Sequence, residues 1–185
     1  AQVAVVPDNN KINVLISGIS QGSNVVMSGG GQEFGMRSGT IPVPLIVGFA
    51  EASKICFENL FEEQNKIRLL RDNFLNEIIK NLPETKVNGS MNSRLNNNIN
   101  LSFPNVDAES LLSKLNNIAC STGSACSSNT LQSSYVLKAI GLDEELALSS
   151  IRVSFGRNNN ENDSLIAAKE IIRTVKEIRR NHPHY

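Results

Sequence analysis

Cysteine, net charge and long apolar runs are all scarce in this chain of 185 residues, and each shortage excludes a class of protein. Three cysteines are too few for a disulfide framework and lack the paired spacing of a metal site. A reducing compartment is therefore expected, the cytoplasm or the mitochondrial matrix. Lysine plus arginine equals aspartate plus glutamate at 18 each, which argues against a nucleic-acid partner. No run approaches the roughly 20 apolar residues of a membrane-spanning helix, so no membrane association is expected.

A glycine-rich segment at residues 28–40 lacks the Gly-Lys-Ser/Thr ending of a nucleotide-binding P-loop. It is either a flexible linker or a loop that approaches a ligand closely. Charged residues between its glycines, Glu33 and Arg37, favour the ligand loop. The hydroxyls of Ser38 and Thr40 come just ahead of a predicted helix, together with free backbone N–H groups, and this arrangement predicts an anion-binding site.

Apolar periodicity along the chain predicts helices packed on a small sheet, an α/β (α+β) fold. Helices are predicted at 42–56, 60–82 and 107–115, at 134–140, from 143 onward and from 162 onward. Strands are predicted at 12–16, 25–27, 98–103, 117–120 and 150–156. Asp107, Asp143 and the pair Asn162-Asp163 are the expected helix caps. Cys56 is predicted to fill the core, and Cys120 is predicted to face inward from its strand.

One thiol lies among small polar residues at 121–129, which read Ser-Thr-Gly-Ser-Ala-Cys-Ser-Ser-Asn. Such residues offer little packing surface and predict a loop that can move. Free cysteines are usually buried and inert, so Cys126 is either an ordinary surface cysteine or a reactive one, and these residues leave both open. No His, Lys or Arg in the loop stabilises a thiolate, so activation must come from elsewhere in the fold or from a ligand.

The strand predicted at 150–156 alternates apolar and polar residues. Arg152 therefore shares a face with Ser154, opposite an apolar face. It is either a solvated arginine at a strand edge or a residue that binds an anionic ligand, and the alternation alone does not choose between them.

Two parts of the chain, in the same order and at similar spacing, together resemble the cysteine desulfurases of the NifS/IscS type. The segments similar to the family's glycine-rich loop are 29–33 and 36–40. The segments similar to its catalytic-cysteine region are 124–126, 134–137 and 149–154. The resemblance extends from about residue 28 to about residue 180.

The resemblance implies the small C-terminal domain of a fold type I enzyme dependent on pyridoxal 5'-phosphate (PLP), with helices on a small mixed or antiparallel sheet. It implies conversion of L-cysteine to L-alanine, with the sulfur held as a persulfide on Cys126 for iron–sulfur cluster and thio-cofactor assembly. Arg152 would bind the substrate carboxylate, and Thr40 would bind the cofactor phosphate across a dimer interface. Cys126 is also a candidate transient ligand of an iron–sulfur cluster.

The same resemblance divides the chain and names its partners. Residues 1–27 are an unplaced segment, 28–44 a glycine-rich cofactor and dimer loop, and 45–185 the small domain, with the catalytic-cysteine loop at 121–131. The implied partners are L-cysteine, an N-terminal desulfurase half or second subunit, and an iron–sulfur scaffold or other sulfur-acceptor protein.

Two departures from the family pattern stand out. The family's PLP lysine follows a histidine upstream of the glycine-rich loop, but no His-Lys pair occurs here, and Lys11 is the only lysine ahead of that loop. Phe34 stands where the family usually has arginine. The chain is therefore predicted to be a C-terminal part, inactive without an N-terminal PLP-binding half. The alternatives are a non-catalytic persulfide carrier or dimer-partner fragment, and a related lyase acting on another amino acid.

Overall fold

A computed structural model describes residues 2–8, 11–17, 29–32, 34, 37–122 and 133–181. The chain divides after Phe61 into two compact units. The predicted boundaries after residues 27 and 44 remain predictions. No helix in the described ranges is long and apolar enough to span a bilayer.

The first unit contains a β-hairpin and one helix. Strand β1 (Gln2–Asp8) pairs antiparallel with β2 (Lys11–Ser17). Helix α1 (Val43–Glu58) begins directly after Pro42, and Pro44 lies in its first turn, where proline costs no intrahelical hydrogen bond. Although α1 is rich in apolar residues, none of its side chains is buried.

The second unit packs helices on one four-stranded sheet, as the sequence predicts. Its helices are α2 (Leu60–Asn81), which begins two residues before the unit boundary, α3 (Ala108–Lys114), α4 (Tyr135–Ala139), α5 (Glu144–Leu148) and α6 (Glu161–Asn181). Its strands are β3 (Lys86–Val87), β4 (Asn98–Ser102), β5 (Ser121–Thr122) and β6 (Ser150–Ser154).

The sheet of the second unit is antiparallel throughout, in the order β3-β4-β6-β5. Its two long central strands alternate, so one face carries apolar side chains and the other carries polar ones. The apolar residues of β4 and β6 join one hydrophobic cluster with α2, α3 and α6. Within it, the rings of Phe74 and Phe155 meet edge-on with centroids 5.5 Å apart. This core fixes which face of the sheet is left for polar chemistry.

Helix α6 is joined to the core and capped by specific polar bonds. The Ser164 hydroxyl donates to the Leu70 carbonyl of α2 at 2.8 Å. At the helix start, the backbone N–H of Asn160 donates to Asp163, and the N–H of Asp163 donates to the Asn160 side chain at 3.1 Å. This reciprocal cap makes Asn160 the capping residue, so the prediction of Asn162 was wrong by two positions, while Asp163 does take part.

Other local predictions are confirmed or corrected. Asp107 and Asp143 cap α3 and α5, each accepting a backbone N–H at 2.8 Å. The strand predicted at 117–120 was wrong, because pairing with β6 begins only at Ser121. Cys56 is exposed on α1, so its prediction as a core residue was also wrong. The strand predicted at 25–27 lies outside the described residues.

Candidate functional site

Arg152 lies on the polar face of the sheet, near the centre of β6. The neighbouring Ile151 and Val153 are buried in the core, and the strand's alternation turns Arg152 to the opposite side, where it is exposed. Within the described part of the chain, its guanidinium takes part in no hydrogen bond or ion pair. The predicted orientation of Arg152 is therefore confirmed, and no other described residue uses its side-chain donors.

Arg152 has a partner on each side in the sheet. Asn100 of β4 is directly opposite it, and Ser121 of β5 is opposite it on the other side. Opposed residues in an antiparallel pair share a face, with Cβ atoms about 4.5–5.5 Å apart. The three side chains consequently stand next to one another on the polar face, although they come from distant parts of the sequence.

Asn88, just after β3, extends this line of residues by one position. Its backbone N–H donates to the Asn100 carbonyl at 2.9 Å, and its Nδ2 donates to Oδ1 of Asn100 at 2.6 Å. We call the line Asn88, Asn100, Arg152 and Ser121 the polar row. Each member follows or belongs to a different strand of the sheet, so the row exists only when all four strands are paired.

Buried hydroxyls hold one end of the polar row in place. Nδ2 of Asn88 also lies 2.7 Å from Oγ of Ser102, and the hydroxyls of Ser102 and Ser150 are 2.8 Å apart. Ser150 in turn donates to the Leu146 carbonyl of α5 at 2.6 Å. A buried polar cluster whose members are all hydrogen-bonded is rigid, because breaking any bond leaves an unsatisfied group.

The Arg94 guanidinium closes the outer end of the row. It donates to the backbone carbonyls of Asn88 and Ser90. Burial, and secondarily the positive charge of Arg71, lower the pKa of Arg94 from its usual value. Arg94 therefore has a structural role, because its guanidinium donates to backbone carbonyls and so holds the backbone at Asn88 in place.

Cys126 itself lies outside the described residues, as does most of the predicted loop at 121–131. The residues that flank this loop on either side, up to Thr122 and from Ser133 onward, do lie in the described part of the chain. The polar row reaches β5 at Ser121, and the chain leaves β5 at Thr122, only four residues before Cys126. Chain length alone therefore keeps the Cα of Cys126 within about 14 Å of that of Thr122.

On the C-terminal side of the loop, the chain at Ser133 is held by contacts with helices α4 and α5. The Ser133 hydroxyl donates to Oε1 of Glu144 at 2.9 Å, and Lys138 pairs with Oε2 of Glu144 at 2.5 Å. These two contacts, led by the Lys138 hydrogen bond, lower the pKa of the exposed Glu144 carboxyl. Ser134 caps α4 by accepting the Leu137 N–H at 3.4 Å. The chain is thus fixed again immediately after the cysteine segment.

Cys120, the nearest other thiol, is in a different environment. It is half-buried against the hydrophobic core, which agrees with its predicted inward orientation. Burial raises the pKa of the Cys120 thiol, so less of it is thiolate near neutral pH. Cys120 therefore suits packing better than nucleophilic chemistry. Among the described side chains, no group of three His, Cys, Asp or Glu residues is placed to hold a metal ion.

The glycine-rich segment is a folded turn near Thr40. The Gly39 N–H donates to Oε1 of Gln32 at 3.1 Å, and Arg37 donates to the Gly39 carbonyl at 3.0 Å. Gly39 has φ of 109°, a conformation that favours glycine. Thr40 is exposed, and its hydroxyl makes no hydrogen bond within the described residues. Thr40 belongs to the first unit and Arg152 to the second.

Phe34 is an unusual residue in the same segment. Its φ is 57°, in the left-handed region that bulky residues rarely adopt, and its side chain is 98% exposed. An exposed aromatic ring on such a backbone has no packing reason within the described structure. The sequence marks this position only as a departure from the family pattern.

The sequence-based prediction did not single out Asn88, Asn100 and Ser121, which the structure places in one row with Arg152. The alternation of Asn98, Asn100 and Ser102 does indicate a polar strand face. The register that places Asn100 opposite Arg152 cannot be inferred from the sequence, because the two paired strands are far apart along the chain.

Comparisons with known proteins agree with the fold. The family model for class-V aminotransferases matches residues 19–164, a range that includes nine residues ahead of the glycine-rich segment. The proteins named cysteine desulfurase IscS from Ehrlichia chaffeensis and Actinobacillus succinogenes are 47% and 46% identical over 85% of this chain. The chain spans only 38% and 39% of their respective lengths.

Solved structures give the same result. A NifS-like protein superposes with a TM-score of 0.72 at 30% identity, covering 83% of this chain and 39% of that one. A NifS-like protein from Rickettsia africae superposes with a TM-score of 0.69 at 32% identity, covering 85% and 40%. The helices on a small antiparallel sheet are thus the fold of part of these proteins, and the chain belongs to the class-V aminotransferase family.

Proposed function

We propose that this chain is the C-terminal part of a PLP-dependent cysteine desulfurase, and that it carries the thiol receiving the sulfur. One observation supports this most directly. Arg152 is exposed, has no side-chain partner among the described residues and stands beside Ser121, from which the chain runs into the segment bearing Cys126. A carboxylate-binding group and a thiol are therefore kept within a short tether of one another.

Arg152 binds the carboxylate of L-cysteine in this proposal. A guanidinium presents paired N–H donors that match the two oxygens of a carboxylate. Fixing the carboxylate sets the direction in which the substrate side chain projects. The substrate sulfur can then be held where the tethered thiol reaches it, which is a positioning effect.

Cys126 is the sulfur acceptor. Its thiolate attacks the substrate sulfur, so a sulfur–sulfur bond forms as the carbon–sulfur bond of L-cysteine breaks. The electron pair of the broken bond stays with carbon, which takes up a proton and becomes the methyl group of L-alanine. Cysteine plus thiol gives alanine plus persulfide, so atoms and electrons balance without an external oxidant.

The residues near Thr40 fit only the phosphate end of PLP. The Thr40 hydroxyl is exposed and can donate to an anion, while Arg37 and Gln32 hold the adjacent turn in place. When bound, PLP supplies the electron sink that weakens the carbon–sulfur bond. The lysine that carries it would belong to the larger part of the family fold, which this chain does not span.

The proposed partners follow from these roles. The PLP-bearing part comes from an N-terminal desulfurase half or a second subunit. The persulfide on Cys126 passes to an iron–sulfur scaffold or another sulfur-acceptor protein, and the cytoplasm is the proposed compartment. Mixing the chain with a PLP-loaded N-terminal half should produce alanine from L-cysteine and add one sulfur atom to Cys126, detected by peptide mass.

The control is Cys126→Ser, which should abolish sulfur capture while leaving folding intact. If both halves are folded and associated yet release no alanine, the proposal fails. If Cys126 instead acquires sulfur only from a complete desulfurase, without PLP binding, the chain is a non-catalytic persulfide carrier.

A further inference from the structure

The Asn100 side chain is held at one end and open at the other. Its Oδ1 accepts from Nδ2 of Asn88 at 2.6 Å. Its own Nδ2 group makes no hydrogen bond within the described residues, and the side chain is only half-buried. The amide therefore has two N–H donors without an acceptor among the described residues, and its oxygen already accepts from Asn88.

Those donors stand beside the Arg152 guanidinium, because Asn100 and Arg152 are directly opposite each other on the polar face. We infer that Asn100 is a second carboxylate-binding residue, donating from Nδ2 to the same amino-acid carboxylate that Arg152 binds. This inference rests on the proposed function for the nature of the ligand. It assigns Asn100 a direct contact and Asn88 a positioning role.

Preorganisation explains why an asparagine serves here. Asn88 is buried and is held by Asn100, Ser102 and the Arg94 guanidinium, so its Nδ2 fixes the Asn100 amide in one orientation. A donor already fixed loses little conformational freedom when a ligand arrives. No described residue bonds the Arg152 guanidinium in this way, so the fixed amide defines where the carboxylate binds.

The polarity of the pair selects a carboxylate. Arg152 provides the positive charge, and Asn100 provides a neutral donor on the adjacent strand. The anion is attracted without a second cation that would repel Arg152 in the empty site. A neutral amide in the ligand's place would lose the charge-assisted bond to the guanidinium. The pair therefore selects a free carboxylate, and the proposed function makes the ligand that carries it an α-amino acid.

The sharpest variant is Asn100→Asp. Aspartate has the same shape and keeps an oxygen to accept from Asn88, but it replaces the Nδ2 donor with a negatively charged oxygen. Asn98→Asp is the matched control. Asn98 lies on the same strand and face about 7 Å away, opposite Ser154 instead of Arg152.

Binding is measured on the full chain by NMR, from the side-chain N–H signals of Asn100 and Arg152 during titration with L-alanine. L-Alaninamide, which lacks the carboxylate, is the negative probe. Both signals should shift with one shared dissociation constant. Asn100→Asp should weaken L-alanine binding about 10- to 100-fold, whereas Asn98→Asp should change it less than about threefold.

The inference is overturned if L-alanine shifts neither signal, if Asn100→Asp binds like the wild type, or if Asn98→Asp loses as much. In the mixture with the PLP-loaded half, Asn100→Asp should raise KM for L-cysteine and leave kcat within about threefold. If the wild-type mixture releases no alanine while Asn100→Asp still loses L-alanine binding, the proposed function fails and the inference stands. If turnover occurs and KM is unchanged in Asn100→Asp, the inference fails and the proposed function stands.

Discussion

At the scale of single residues, Asn88 connects the core of the second unit to its polar face. It is 6% exposed, and its amide bonds Asn100, Ser102 and Ser150. Asn88→Ala should lower the free energy of unfolding by about 1–3 kcal/mol, because buried polar groups lose their partner. Urea denaturation of the full chain measures this difference.

Asn92→Ala is the matched control for that measurement. Asn92 is exposed, and its one described bond uses the backbone N–H, which alanine retains. If the two variants unfold at the same urea concentration, the buried network adds nothing to stability and Asn88 cannot hold Asn100 in place.

The two described cysteines should differ in reactivity. Burial raises the pKa of the Cys120 thiol, whereas Cys56 is exposed. A raised pKa leaves less of a thiol as thiolate at neutral pH. Iodoacetamide should therefore label Cys120 more slowly than Cys56, as measured by peptide mass spectrometry.

The same pKa shift has a defined effect on stability. Because the folded chain binds the Cys120 proton more tightly than the unfolded chain, the stabilisation is fully present below the ordinary thiol pKa. It is lost as pH rises through the raised folded-state pKa. Equal stability differences between wild type and Cys120→Ala at neutral and alkaline pH would contradict this.

Sequence reasoning at this scale succeeded where the periodicity is local. The alternation of apolar and polar residues in β6 correctly predicts that the Arg152 side chain faces away from the core. The prediction for Cys56 failed because helical periodicity indicates an apolar face but does not reveal whether anything covers it. The roles of Cys126, Arg152 and Thr40 remain predictions.

At the scale of elements, the reciprocal cap at the start of α6 should contribute measurably to the free energy of unfolding. Asn160→Ala removes the acceptor of the Asp163 N–H and should lower the free energy of unfolding by about 1 kcal/mol. Asn158→Ala, in the preceding exposed turn, should be nearly neutral. Thermal unfolding of the two variants compares them directly, and equal melting temperatures would disprove the cap's contribution.

Helices were predictable because their apolar repeats and caps lie within a few residues of one another. α2 and α6 follow this rule, and so do the aspartate caps of α3 and α5. The shift of β5 from 117–120 to Ser121–Thr122 has a non-local cause, since pairing with β6 defines that strand. Strand β1 was not predicted either, and it likewise depends on a pairing partner.

At the scale of the whole molecule, α1 lacks the covering that its composition requires. Leu45 and Val47 are 72% and 61% exposed, and α1 has no buried side chain. A helix that is apolar around most of its circumference is normally enclosed by protein. The chain spans 38% of its Ehrlichia relative, so the remainder of the family fold is the expected cover.

Leu45→Lys should therefore weaken association with the N-terminal half by about 10- to 100-fold, the value of one buried leucine. Sedimentation of the mixed halves measures the affinity. Leu69→Lys, at an exposed leucine of α2, is the control and should leave the affinity unchanged. Equal affinities for the two variants would mean that α1 is not the contact surface.

The polar row draws one residue from each of four strand regions, and this has a consequence for the lifetime of the protein. In the inferred site, a carboxylate bound by both Asn100 and Arg152 would link the two central strands. A free amino-acid concentration about one hundred times the dissociation constant would raise the free energy of unfolding by about 2.7 kcal/mol. Without the amino acid the sheet would then open more readily, and limited proteolysis should cleave the empty protein faster than the bound one.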